Sequence, residues 1–383
     1  MIFLCCTLHL MYNKMICCCA LFPLKGGFMK KMSFREYLNS KGVTLSPKVY
    51  FIDSMGSMAM GLFASLLIST ILSTVYNWTG AEIFKEAAAA GQAVTGAVLG
   101  ISVGYALKAP ALVLFSAAAA GYVGNGFGGT FILNGAEKAL TAGPAGAFIA
   151  ALIAVEVGKL VSKTTKVDII VTPVVTILTG ILTAKLVCPA IAYVMYGIGS
   201  FVNTATEMRP FIMGILVSAV VGMVLTLPIS SAALCAMIGI TGLAGGAATA
   251  GCCAQMVGFA VISFRENGWG GLLAQGLGTS MLQMGNICRK PAIWIAPTLA
   301  ACITGPFSTL IFKLSCTGVS AGMGTCGLVG PLGIITDMGA GNARVWLGIL
   351  LCCIILPAVF SIIINEILRK LGIVKTGDMK LDL

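Results

Sequence analysis

PFIMGILVSAVVGMVLTLPISSAALCAMIGITGLAGGAATAGCCAQMVGFAVISF, residues Pro210–Phe264, runs for 55 positions without a charged side chain. The hydrocarbon core of a bilayer is about 30 Å thick, and about 20 apolar residues cross it as a helix. This run is long enough for two crossings, with Pro228 near its middle as the break.

The rest of the chain has the same character. Hydrophobic residues make up 58% and charged residues 10%, against roughly 25% charged in a soluble domain. The apolar runs are too long and too uniform for the alternating strands of a membrane β-barrel. The expected fold class is therefore all-α: a polytopic helical membrane protein of about ten transmembrane helices with two re-entrant hairpins.

The net charge of +11 does not indicate nucleic acid. Lys30, Lys31, Arg35, Lys41 and Lys48 precede the first apolar run, and Arg369, Lys370, Lys375 and Lys380 follow the last. Basic residues at the ends of membrane segments are the positive-inside signature, and no basic patch is interleaved with aromatics. The 15 cysteines contain no CxxC and no Cys/His ligand spacing. They read as small hydrophobes, with no metal and no cofactor expected.

Residues 1–31 form a short, apolar, Cys-rich extension. A signal peptide, an acylated anchor and a start codon set too far upstream compete to explain it. Lys25-Gly26-Gly27-Phe28-Met29 fits a purine-rich ribosome-binding site just before Met29-Lys30-Lys31, so translation is expected to begin at Met29 or Met32. The membrane domain is then 32–372, with a cytoplasmic tail at 373–383.

Charges divide the remainder into spans at Met55–Tyr76, Ala87–Leu107, Ala109–Ala136, Thr141–Lys163, Ile169–Ala184, Leu186–Thr206, Phe211–Leu227, Ile229–Phe264, Pro291–Phe312 and Val345–Asn365. Gly96, Gly100 and Gly104 recur every fourth residue, a smooth face for close helix packing. Asn267–Cys288 and Leu314–Thr336 are Gly-rich, and Pro331 interrupts the second. Irregular backbone at membrane depth persists only inside protein or beside a water-filled cavity, so both read as re-entrant hairpins. An even number of crossings puts both termini on one side. Lys108, the Lys163-Thr164-Thr165-Lys166 loop, Arg209 and Arg265 join them there, and by the charge rule that side is the cytoplasm.

Polar residues within apolar runs are the functional candidates. Asn125, Thr130 and Asn134 sit in the Gly-rich break Gly124–Gly135, which pairs loosely with Gly322–Gly327 in the second half. Paired interruptions point to a transporter's binding site. Gln275, Thr279 and Gln283 recur every fourth residue, and Gln255 stands in the long run. Asp337 ends a broken segment. Asn125, Thr130, Asn134, Gln255, Gln275, Gln283 and Asp337 are therefore expected around a substrate cavity; catalytic residues stay unassigned. Helix capping and packing compete at each. Glu156 and Lys159 can pair on one helix face, but they and Asp168 read mainly as solvated helix-end charges. Arg265-Glu266-Asn267 reads as a solvated turn.

Asn125-Gly126-Phe127-Gly128-Gly129, Lys163–Pro173 (KTTKVDIIVTP) and Gly242–Ala250 before Gln255 resemble the PTS EIIC-like membrane family, whose members include the perfringolysin-regulator (PfoR) proteins. The resemblance covers roughly Ser33–Leu371. It implies a homodimeric sugar permease of the phosphotransferase system in the bacterial inner membrane, with a separate EIIB protein delivering phosphate. The chain departs from the glucose-type pattern, having no histidine in its membrane region. Gly333-Ile334-Ile335-Thr336-Asp337 matches the Gly-Ile-Thr-Glu-Pro signature only loosely, and no EIIB domain is fused. A membrane ligand sensor and an ion-coupled transporter without phosphorylation remain as alternatives.

Overall fold

The computed structural model describes residues 34–43, 46, 48–133, 136–339 and 341–381. The expected extension at 1–31, with its start-codon reading, and Asn134 lie outside the described residues.

A short helix α1 (Phe34–Ser40) leads to α2 (Ser54–Tyr76), which widens into a π-turn at Phe63–Leu67. Helices α3 (Glu82–Ala93) and α4 (Thr95–Ala106) meet at a 52° bend. They are followed by α5 (Ala111–Gly126), strands β1 (Gly128–Leu133) and β2 (Ala136–Thr141), and α6 (Gly143–Val161). Then come α7 (Asp168–Thr206), α8 (Pro210–Thr226), α9 (Ser231–Ile238) and α10 (Gly242–Ile262). A first broken hairpin comprises α11 (Phe264–Leu273) and α12 (Met284–Arg289). Helix α13 (Pro291–Phe312), a second broken hairpin of α14 (Gly318–Ala321) and α15 (Val329–Met338), and α16 (Ala343–Lys370) complete the body. Among the described residues six helices are long and apolar enough to cross a membrane, or up to seven with the bent pair as one span, and three shorter apolar helices accompany them.

Among the described residues the chain is helical apart from one antiparallel hairpin, so the expected all-α class holds and the hairpin is a local departure, falling where a span was expected to end at Ala136. Gly128 pairs with Thr141 and Leu133 with Ala136, so only two positions connect the strands. The sequence there is Asn134-Gly135, the dipeptide most favoured in two-residue hairpins. The apparent Gly-rich break is thus a helix end followed by a strand.

A second departure is α7. The expected spans at 169–184 and 186–206 are one helix of 39 residues. At 1.5 Å per residue it is about 58 Å long, well beyond a hydrocarbon core. Lys185 had marked the division, but a lysine does not break a helix. It carries good helix propensity, and an exposed one can extend its ammonium to water.

Close packing follows the small residues. A Cβ on Gly96 would lie 2.9 Å from the Cα of Tyr122 and the Cβ of Asn125, and one on Gly100 would collide with the Ala117 carbonyl. The Gly96/Gly100/Gly104 face therefore lets α4 and α5 touch backbone to backbone. Beneath 37–50, Lys159 pairs with Glu156 at 3.3 Å, the side chains 3% and 1% exposed. The solvated reading of this pair is corrected: Lys159 also donates to the Gly42 carbonyl at 3.2 Å, and Tyr37 and Lys41 donate to the carbonyls of Leu160 and Ser162. The segment around α1 thus caps the end of α6.

Asp53, Arg289 and Lys380 border one hollow at one end of the bundle, so the start of α2 and the C-terminal segment meet there. Arg209 is elsewhere. Thr309 Oγ1 donates to the Pro210 carbonyl at 2.9 Å, placing Arg209 at the end of α13 away from Lys290. Run counting had grouped Arg209 with the tails because helix direction cannot be read from charge alone.

Candidate functional site

A cavity of about 530 Å³ lies where the interrupted elements converge. Gln92 and Thr95 reach it from the α3/α4 bend, Asn125 from the end of α5, and Thr141 and Gly143 from the β2–α6 junction. The α8–α9 junction adds Ser230 and Ser231. The first hairpin adds Gly278, Thr279 and Met281 at its apex; the second adds Met323, Cys326 and Val329. Thr70, Ser73 and Thr74 of α2 line another wall. The convergence has a physical cause. A helix end exposes N–H and C=O groups without intrahelical partners, and an apolar layer tolerates them only against protein or a polar hollow.

The two broken hairpins hold each other. Thr325 Oγ1 donates to the Gly276 carbonyl at 2.5 Å, and Gly330 N–H closes the second turn on the Gly324 carbonyl at 2.8 Å. Gly324 has φ +56, and a Cβ there would lie 2.8 Å from Cys252 backbone; only glycine fits. Thr74 Oγ1 binds the Gly327 carbonyl at 2.9 Å, and Ser231 Oγ binds the Gly322 carbonyl at 2.7 Å. Helices α2 and α9 therefore brace the same turn.

The side chains on the cavity wall are all uncharged. Thr70 and Thr95 donate to the carbonyls four residues before them, Leu66 and Gly91, at 2.9 and 3.1 Å, which leaves oxygen lone pairs as acceptors. Asn125 makes no side-chain hydrogen bond to another described residue and keeps both donor and acceptor capacity. The wall can thus solvate a neutral polar molecule. It offers no charge to compensate an ion, for which desolvation would be far costlier.

The sequence profile of the phosphotransferase system EIIC family matches residues 52–381. The chain belongs to that family. No curated protein matches it. This EIIC chain is a multi-pass membrane component of phosphotransferase type.

Of the expected site residues, the structure places Asn125 on the cavity wall of this EIIC chain. Thr130 is exposed on β1, paired with Ala139. Gln255 is fully buried behind the wall: it donates to Thr298 Oγ1 at 3.0 Å and accepts from Trp294 Nε1 at 3.0 Å and Thr226 Oγ1 at 3.3 Å. Thr226 in turn bonds Ser280 at 2.8 Å, next to the apex. Gln275 and Gln283 do not form a helical stripe with Thr279, because the helix breaks at that residue. They meet across the break, Gln283 Nε2 donating to Gln275 Oε1 at 3.0 Å, and leave Thr279 alone at the apex. Asp337 is exposed at the far end of α15 from Val329 and accepts a short hydrogen bond from Ser315. The structure thus brings Asn125 to the cavity and places Thr130, Gln255, Gln275, Gln283 and Asp337 off its wall.

Several wall residues were not singled out: Thr70, Ser73 and Thr74, Gln92, Thr95, Ser230 and Ser231. Two signals were present. Thr70, Ser73 and Thr74 are spaced i, i+3, i+4 on one face of an apolar helix, and Ser230-Ser231 follows the Pro228 break.

Proposed function

We propose that this chain is the permease component that binds a neutral, hydroxyl-rich small molecule, a sugar or a close analogue, in the central cavity. The observation carrying this reading is a wall whose polar side chains are hydroxyls and amides, set among apolar ones such as Leu225, Ile229 and Val329, with no charged side chain among the described residues that line it. Each neutral hydrogen bond contributes about 0.5–1.5 kcal/mol net, so several together give useful affinity without holding the ligand too tightly to release. Family membership supports a homodimer and a separate EIIB protein as phosphate donor. We place both described ends in the cytoplasm. The ten-crossing topology belongs to this proposal: the six long helices, the bent α3/α4 pair, the shorter apolar helices α5 and α8, and the return of the chain through α9 between the parallel helices α8 and α10 make ten, with the two broken hairpins entering the bilayer.

A thermal-shift screen of purified protein tests the binding reading, since a ligand of the native state raises apparent stability. Neutral sugars and polyols are expected to raise the melting temperature, and their phosphate esters are not. A response confined to charged metabolites overturns the proposal. A second reading has its own observation: among the described wall residues none is an acid, a histidine or a lysine. That favours binding without on-site proton transfer, as in a ligand sensor. Phosphorylation of bound sugar by added phospho-EIIB separates the two.

A further inference from the structure

The central cavity is not the only hollow along α2 and the first hairpin. A smaller one, about 330 Å³, is lined by Asp53, Ser57 and Met60 of the α2 side and by Leu282, Asn286 and Arg289 of the hairpin. Farther along the same two elements, Leu62, Leu66 and Thr70 face the large cavity, as do Met281 and Thr279. The two spaces therefore follow one another between the same walls. The Met281-Leu282 turn lies between them, Met281 lining the larger space and Leu282 the smaller, and α2 runs past both, presenting Met60 to the smaller and Leu62 to the larger.

The third wall of the smaller space is the C-terminal segment, through Lys380 and Leu381. That segment has almost no regular structure, yet it is bound at nearly every residue. Lys290 pairs with Asp378 at 2.6 Å. The Met379 carbonyl accepts from Asn267 Nδ2 at 2.9 Å and from Gln283 Nε2 at 3.0 Å. The Lys380 carbonyl accepts from Asn286 Nδ2 at 2.9 Å. Met379 N–H donates to Glu266 at 2.9 Å, and Leu381 N–H donates to Asn267 Oδ1 at 2.8 Å. Glu266 is itself paired with Arg369 at 3.0 Å, so the solvated reading is corrected for Glu266 and Asn267, while Arg265 is exposed. All these partners other than Arg369 and Lys290 belong to the first hairpin. Gln283 also grips Gln275 across the hairpin's break, which ties the tail to the segment presenting Thr279.

We propose that residues 375–381 are a latch on a route between this end of the bundle and the central cavity. Docked, the tail walls the smaller space and holds the Met281-Leu282 turn of the hairpin in place between the two spaces. Undocked, the hairpin loses its polar partners and swings, and the two spaces join. Small-molecule passage to the cavity is then set by tail docking, which a cytoplasmic partner competing for the tail could control. The proposal concerns access and stands whether or not the occupant is a sugar.

The test uses full-length protein in nanodiscs carrying Thr279→Cys as reporter and Cys288→Ser to prevent mispairing. A sulfonated maleimide is the probe, and mass spectrometry reads labelling at each position. An added Asn267→Cys/Leu381→Cys pair locks the tail when oxidised. Locking is expected to slow labelling of position 279 at least tenfold, with recovery on reduction. Asp378→Asn, which weakens docking, is expected to speed it at least threefold while Cys253, fully buried, stays unlabelled. Equal labelling with the tail locked and free overturns the latch. So does a rise in Asp378→Asn that Cys253 shares, because the tail would then be a general structural support.

Discussion

Replacing Asn125 by Ala removes an amide that faces the cavity and holds no other described side chain or backbone group in place. One lost neutral hydrogen bond is about 0.5–1.5 kcal/mol, so ligand affinity in a titration should fall by up to about tenfold with the melting temperature nearly unchanged. Thr279→Ala should behave alike but with some loss of stability, because its hydroxyl also accepts from Met281 N–H at 3.1 Å. Gln255→Ala should do the opposite. It strands Thr298, Trp294 and Thr226 in a dry interior, and a stranded buried polar group costs about 1–3 kcal/mol. A clear drop in thermal stability is expected, with any binding loss secondary to it. The sequence offered both amides as equals, since each is a polar residue in an apolar run. What separates them is whether partners exist, and those partners lie 29 to 43 positions away. Glu156→Gln belongs with Gln255. It leaves the Lys159 ammonium buried without its counter-charge, and breaking such a pair costs about 3–5 kcal/mol.

Elements respond through their faces. Gly100→Ala places a methyl group against the Ala117 backbone, which cannot give way as a flexible side chain would. Overpacking of about 1–3 kcal/mol is expected, seen as a lower melting temperature, whereas Gly197→Ala, with nothing within 4 Å, should be near neutral. The tail behaves as an element through its ion pair. Partial burial pushes the Asp378 carboxyl up, but the Lys290 ammonium and the Lys375 N–H and charge outweigh it and hold its pKa below the usual 3.8. A depressed carboxylate pKa gives stability that is full above the unfolded value and is lost as pH falls through the folded one. Hydrogen-exchange protection of 375–381, corrected for intrinsic rates, should therefore be flat from neutral pH down to about pH 5 and decline only below about pH 4. A decline near pH 6 would point to another group. At this scale the glycine face of α4 was legible, because spacing alone defines a helix face. The β-hairpin was missed although Asn134-Gly135 announced it, since the surrounding glycines were read as a break.

For the whole molecule, the prediction is topological. In cells, cysteines introduced at Lys163 and Lys380 should share one accessibility to an impermeant reagent, and one at Arg344 should show the opposite. Arg344 donates a short hydrogen bond to the Ile311 carbonyl, at the end of α13 away from Lys290. The sequence by itself determined the class of the molecule: charge-free runs longer than a bilayer crossing leave no soluble alternative, and family motifs spread along the chain reach the same answer. It also determined where the backbone is interrupted, at Asn267–Cys288 and Leu314–Thr336, because glycine and proline act locally. Only the tertiary structure decided what those interruptions surround. Each break needs partners for its freed N–H and C=O groups, and it finds them in other breaks far away in sequence, as Thr325 does at Gly276. A cavity wall assembled from so many separate elements has no sequence period. The same holds for the tail, whose seven residues are of mixed character and unremarkable until Gln283, Asn286 and Glu266 are brought around them and Met379 is buried.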